Sequence, residues 1–459
     1  MSKLQKKSVD MTTGSITKHL ITFAAPLLLG HIFQQLYNAV DSVVVGNYVG
    51  KEALAAVGSV GPIINILIGF FSGLALGAGV VISQYYGAHE DGRVHDAVQT
   101  TVLLVLLLCI GTTVIGVAFT PMMLRFMKTP ADVFQESADY LRIYFLGVSG
   151  LMLYNMGSGI LRAVGDSRRP LYYLIVSAVI NTVLDLVFVA VFDWGIAGAA
   201  YATVIAQGVS AILVMGALTR TRENYRVIWS HLKLDRLMMK KIFRIGMPTA
   251  IQSAVTAFSN VFVQSYINRF GSACMAGWTA YNKIDAFAVL PMQMVSMAAT
   301  TFVGQNIGAG NLKRAKEGTK KAMLISYIGT IIPLIVVMIF AEQFIALFNR
   351  EQEVLEYGTL FIRMISPFFL VSVINHVYSG SMRGAGETKV PTYIMLSSFV
   401  VFRQIYLAVS CALTDSILVV SLGYPVGWCL CSALMALYYK SGKWRASIEM
   451  ITPAKEVNE

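Results

Sequence analysis

The chain has 459 residues, 56% hydrophobic and 13% charged, with a net charge of +11. Soluble domains carry about 25% charged residues, and this chain contains many apolar runs of the roughly 18 residues that cross a bilayer as a helix. A soluble multidomain protein is excluded. The positive charge collects between apolar runs instead of forming a nucleic-acid footprint, so no nucleic-acid partner is expected.

Twelve spans are predicted, at residues 17–46, 53–83, 94–118, 135–163, 170–192, 196–218, 242–268, 277–305, 317–340, 354–382, 390–412 and 417–440. The fold class expected is an all-α polytopic membrane protein with twelve transmembrane helices. Residues 1–218 form a first lobe of six spans, 219–241 a basic cytoplasmic linker, 242–445 a second lobe and 446–459 a cytoplasmic tail. Most of the 36 Lys and Arg residues lie at the N-terminus, in every second loop and in the tail; the opposite loops hold Lys51, Arg125, Lys128, Arg269 and Arg350. This is the positive-inside pattern of a multi-pass protein of the cell membrane with both termini cytoplasmic. The basic, polar start lacks a small-residue cleavage site, so no removed signal peptide is expected.

Span 1 carries Pro26, where the lost backbone hydrogen bond makes either a hinge or a static kink. Beyond it, Gln34, Asn38 and Asp41 share one helix face, with Tyr37 on a neighbouring stripe. A polar face at this depth must look at protein or water. Span 4 offers Asn155. Span 5 places Asn181 four residues before Asp185, and span 6 offers Thr203 and Gln207, again four apart. Two carboxylates, an amide and a hydroxyl in a low-dielectric pocket suit either a proton, because burial and a neighbouring acid raise a carboxylate's pKa, or a sodium ion, because all are hard oxygen ligands. The alternative is that each acid merely ties helices together. Span 8 carries Lys283 and Asp285, two apart and on different faces, which line the outer end of a cavity or pair locally; Met292, Met294 and Met297 suit an adaptable pocket or ordinary packing. Arg403 in span 11 is equally open.

The second half repeats the first at an offset of 221 residues. Ser158, Gly159, Arg162, Gly165 and Pro170 realign on Ser379, Gly380, Arg383, Gly386 and Pro391, and Gln84, Gly87, Ala88 and Arg93 on Gln305, Gly308, Ala309 and Arg314. Repeated halves with a site between them are a plan of secondary transporters. In the Arg-x-x-Gly-[Asp/Glu] turns, Arg and the acid are expected to clamp the turn, with Gly at positive φ. Asp41 maps to Phe262 and Asp185 to Tyr406, so a role unique to one lobe is expected for both acids. The five cysteines fit neither a zinc site nor a disulfide framework and read as small hydrophobes. No Gly-rich phosphate loop is present, so direct use of ATP is not expected. His31 and His376 lack a nucleophile or metal partner in the sequence, and no enzyme activity or cofactor is expected.

Taken together, Pro26, the run Gln34 to Asp41, Val45-Gly46 to Gly50, Ala53 to Gly58, Gln84 to Ala88, Gly304 to Gly310 and the two Arg-x-x-Gly turns resemble the multidrug and toxic compound extrusion (MATE) transporters over nearly the whole chain. The resemblance implies two six-helix lobes related by a pseudo-twofold axis around a V-shaped cavity, and cation-coupled antiport of amphipathic, often cationic, drugs or metabolites by alternating access. It implies a first-lobe cation site of Asp41, Asn181, Asp185 and Thr203, holding a proton or sodium, with Gln34, Tyr37, Asn38, Asn155, Lys283, Asp285 and Met292 as substrate-cavity candidates. Another branch of that family uses acids in spans 7 and 10; these spans are read here as free of acids, which resembles the branch working through the first lobe. A monomer in the bilayer, with an amphipathic small molecule as partner, is expected. The alternative reading is a lipid-linked precursor flippase of the same superfamily, supported by Lys283 and Arg403.

Overall fold

The computed structural model describes residues 8–49, 51–127, 129–131 and 133–449; the side chains at 38–43, 45–47, 51–59, 62 and 449 lie outside the described residues. The described residues contain no β-strand. Helices α1 (Ile16–Tyr48), α2 (Lys51–Gly87), α3 (Asp91–Phe126), α4 (Phe134–Ala163), α5 (Arg168–Asp185) and α6 (Gly195–Arg220) make the first six spans. The second six begin with α7 (Arg236–Asn268). They continue with α8 (Ser272–Ala288) and α9 (Leu290–Gly308) in one span, then α10 (Leu312–Ile339) with the short α11 (Ala341–Ala346). The last three spans are α12 (Gln352–Ile365) with α13 (Phe369–Gly384), α14 (Lys389–Leu396) with α15 (Arg403–Leu413), and α16 (Ile417–Ser421) with α17 (Gly423–Ser441); the short α18 (Ala446–Glu449) follows. Eleven of these rods are long and apolar enough to cross a membrane. The twelfth, α7, has 33 residues but is less apolar, carrying Gln252, Ser253, Ser259, Asn260, Gln264 and Ser265 along its length. Helices satisfy their backbone internally, as hydrocarbon requires.

Several predicted spans are interrupted. Pro291 sits at the start of α9 and separates it from α8. Pro367 lies in a 3₁₀ turn, Ser366–Phe368, between α12 and α13. Proline removes a helix hydrogen bond and crowds the preceding turn, and apolar composition alone does not reveal such breaks.

The described residues divide into two compact units, one of residues 8–10 and 26–246, the other of residues 11–25 and 247–449. The divisions inside α1 and α7 fall at Pro26 and beside Pro248. The first half of α7 packs with α2, where Gly246 and Ile242 lie against Gly77. In the first unit α4 is central, packed against α2, α3 and α6. In the second, α13 holds the same place against α9, α10 and α17. Small residues allow these approaches; a Cβ on Gly150 of α4 would stand 2.9 Å from the Gly208 nitrogen of α6.

The two Arg-x-x-Gly turns put Gly165 at φ +85° and Gly386 at φ +89°. The acid, however, does not clamp the arginine before it. Asp166 accepts from the backbone N–H groups of Arg168 and Arg169 at 3.0 and 3.1 Å, and pairs with the Arg169 guanidinium. Glu387 likewise accepts from Val390 N at 3.1 Å. The acids therefore satisfy the first free N–H groups of the following helices, which leaves Arg162 for another use. Span 10 also contains one acid, Glu356, which lies exposed near the start of α12 and accepts from Gln352 Nε2 at 3.1 Å.

Candidate functional site

The first unit encloses a cavity of about 160 Å³ between α1, α2, α4, α5 and α6. α1 contributes Leu27, Gly30, His31, Gln34 and Tyr37, a face recurring every three or four residues. α4 contributes Tyr154, Asn155 and Arg162, α5 contributes Ser177, and α6 contributes Thr203, Gln207 and Ser210. Much of this lining is fixed by local bonds. Asn155 Nδ2 donates to Leu151 O at 2.9 Å, the Tyr154 hydroxyl to Pro170 O at 3.1 Å, Ser177 Oγ to Ala206 O at 2.7 Å and Ser210 Oγ to Gln207 O at 2.7 Å.

Behind Thr203 lies the polar cluster of α5. Asn181 Nδ2 donates to Thr203 Oγ1 at 3.5 Å, the long end of hydrogen-bond range. Asn181 is 1% exposed and Asp185, one turn on along the same face, is 0% exposed. Asn181 Oδ1 has no hydrogen-bond partner among the described residues. Asp185 closes the α-helical part of α5, and a π-helical turn, Leu186–Val191, follows at once. Such turns widen the helix locally and free backbone groups for a site.

The structure thus brings Gln34, Tyr37, Asn155 and Thr203 around one cavity, with Asn181 against Thr203 and Asp185 on the same helix face. Asn38 and Asp41 lie one turn beyond Gln34 and Tyr37 on the continuous α1 backbone, but their side chains are outside the described residues. Lys283, Asp285 and Met292 belong to the second unit. Lys283 is exposed, Asp285 is half-buried and accepts from the Tyr281 hydroxyl at 3.2 Å, and Met292 is fully buried in α9. Arg403 is engaged in its own unit, donating to Ser259 Oγ at 2.8 Å and Asn260 Oδ1 at 2.9 Å and lying over the Tyr424 ring.

Two cavity residues escaped the sequence reading. His31 is one turn before Gln34, so the helical face containing Gln34 already marked it. Arg162 lies seven residues beyond Asn155 on α4, and its place in a turn motif masked its place on that face. Arg162 has no acid among the described lining residues, and it lies within electrostatic reach of His31 and Tyr154.

At the offset of 221 residues, the equivalents of Asn181, Asp185 and Thr203 are Phe402, Tyr406 and Tyr424. Tyr406 donates its hydroxyl to Val419 O at 3.2 Å and packs in the core of the second unit. The oxygen cluster is therefore particular to the first unit.

A family model described as MatE matches twice, over residues 26–187 and 248–409, once in each half. The chain is 32% identical over 445 residues to the Probable multidrug resistance protein YoeA of Bacillus subtilis strain 168, covering 95% of each chain. It is 29% identical over 440 residues to the Probable multidrug resistance protein YpnP of the same organism, covering 96% of this chain and 98% of that one. In fold it matches an outward-facing multidrug resistance MATE family transporter of the MOP superfamily with a TM-score of 0.89 at 22% identity, covering 97% of this chain and 99% of the other. A MOP superfamily transporter from Pyrococcus furiosus matches equally, with a TM-score of 0.89 at 22% identity over 98% of this chain and 100% of that one.

Proposed function

The chain belongs to the MatE family, whose members are membrane transporters and not enzymes, and we propose on that footing that it exports amphipathic, often cationic, small molecules in exchange for inward proton or sodium flow. The observation that carries this reading is the buried oxygen cluster of Asn181, Asp185 and Thr203 beside a polar cavity, in one unit only. A charged group in the membrane interior costs about 2.5–3.5 kcal/mol even on lenient scales, so an acid kept at 0% exposure needs a function or a partner cation. The second carboxylate of the proposed coupling site is assigned to Asp41 from its place in the sequence, four residues beyond Tyr37 on α1.

In the proposed cycle, substrate enters from the cytoplasmic side while the acids are unoccupied and attract cationic cargo. Cation binding from the outside removes that attraction, and cargo leaves. Coupling rests on differential affinity of each ligand for the two access states. One cation moving inward through 100 mV releases about 2.3 kcal/mol, enough to sustain a cargo ratio of roughly 50. Proton and sodium suit the donor set alike. The flippase alternative draws on Lys283, which is exposed, and on Arg403, which donates to Ser259 and Asn260; neither lines the first-unit cavity.

The test is substrate efflux from proteoliposomes with independently imposed pH and sodium gradients. Gradient-driven efflux by the wild type that persists unchanged in Asp41→Asn and Asp185→Asn would remove these acids from the coupling role.

A further inference from the structure

A second cavity, of about 430 Å³, lies at one end of the second unit between α10, α13, α17 and the turn after α17. Its wall is aromatic. Tyr378 stacks on Tyr439 with ring centroids 4.3 Å apart, and Tyr439 stacks on Trp444 at 5.3 Å. Gly442, at φ +74°, ends α17 and turns the chain back, and Trp444 Nε1 then donates to Tyr439 O at 3.0 Å. Around this wall stand four cations, Lys316, Lys320, Lys440 and Arg445, with no acid among the lining residues. Lys320, Lys440 and Arg445 are exposed and Lys316 is half-buried. Like charges gathered on one rim repel each other, so the arrangement favours an anion in the middle.

The corresponding corner of the first unit is built differently. The positions equivalent to Lys316, Lys320, Tyr378 and Tyr439 are His95, Gln99, Gly157 and Leu218. That corner is lined by Asp96 and covered by the linker, which Thr100 holds through Lys233 O and Asp235 N. The basic, aromatic corner is thus an addition of the second half and not a need of the repeated scaffold.

Down α10 from Lys320 runs an apolar stripe, Leu324, Ile328, Ile331 and Ile335, exposed at 55%, 53%, 38% and 52%. Its spacing of three and four residues keeps it on the helix face below the basic rim. We propose that this corner is a binding site for an anionic phospholipid, its phosphate among the four cations and its acyl chains along the α10 stripe. A soluble phosphate would satisfy the cations equally; what favours a lipid is the place of the four cations at the end of a membrane-spanning helix, where a headgroup seated among them continues into acyl chains along the stripe. The positive-inside pattern puts this end at the cytoplasmic leaflet, where anionic lipids meet basic residues at the ends of spans.

The experiment is native mass spectrometry of the full chain in detergent, with equal amounts of phosphatidylglycerol and phosphatidylcholine, and separately with inorganic phosphate. Wild type is expected to retain phosphatidylglycerol in preference to phosphatidylcholine. The double variant Lys320→Gln, Arg445→Gln is expected to lose about twenty-fivefold in phosphatidylglycerol affinity, at about fivefold per basic side chain. These are exposed positions, so the fold is expected to survive. The double variant Lys313→Gln, Lys321→Gln, on α10 but outside the cavity, removes the same charge and is expected to leave retention unchanged. Equal loss in both double variants would reduce the effect to net charge and overturn the site. Saturable inorganic phosphate binding that displaces phosphatidylglycerol from wild type at similar concentration would overturn the lipid as its ligand.

Discussion

Asn181 on α5 and Thr203 on α6 meet at 3.5 Å where each is 5% exposed or less. In the other half the same two positions hold Phe402 and Tyr424. A duplicated scaffold has thus kept its glycine turns and helix packing in both copies, and carries the Asn181–Thr203 pair at these positions in one copy and aromatic side chains in the other.

Asp185→Asn preserves shape and removes the charge. If Asp185 couples the cation to cargo, gradient-driven efflux in proteoliposomes falls at least tenfold, within the roughly 5–150-fold span of ordinary coupling energies, while thermal stability in detergent stays near wild type. Loss of folded protein without any change in efflux per folded molecule would make the residue structural.

Tyr406→Phe probes the equivalent position of the second half. It deletes one hydroxyl bond to Val419 O and is expected to cost about 0.5–1.5 kcal/mol of stability, with the ion dependence of efflux unchanged. A changed ion dependence would show that the second unit shares the coupling role.

Arg162 lines the first-unit cavity, with no acid among the described lining residues. Arg162→Gln is expected to raise affinity for a monovalent cationic substrate at least about fivefold, since like charges a few ångströms apart repel by about 1 kcal/mol even in water. Binding measured by fluorescence or calorimetry on purified protein decides this; no gain for the cation, with unchanged stability, would put Arg162 outside the cargo's reach.

Gly77 of α2 lies against Gly246 of α7, where a Cβ would stand 2.6 Å from Gly246 N and from Ile242 O. Backbone cannot yield as a side-chain tip can, so Gly77→Val is expected to destabilise by about 1–3 kcal/mol or more. A detergent melting curve that does not move would mean that α7 slides away from α2 at little cost.

Gly165→Ala addresses the turn before α5. At φ +85° an L side chain is strained by about 1–2 kcal/mol, and the new Cβ would collide with the Val9 carbonyl. Val9 N donates to Val164 O at 3.0 Å, so this variant is expected to release the segment around Val9 as well, seen as faster proteolytic cleavage near residue 9. Unchanged cleavage would show that this bond does not hold the segment.

The sequence by itself determined the apolar spans and the repeat. Apolar length and three-to-four-residue spacing are local properties, and a bilayer rewards them wherever they occur; predicted edges such as 135–163 and 417–440 lie close to α4 at Phe134–Ala163 and to the last span at Ile417–Ser441. The tertiary structure alone decided which polar groups share a space. That Arg162 and His31 join Gln34 around one cavity, that Asp166 serves Arg169 instead of Arg162, and that Tyr378, Tyr439 and Trp444 stack into a wall all depend on helices distant in sequence coming into register. Close packing between such helices is fixed by the fit of whole side chains, and that fit leaves no period for a single chain's sequence to display.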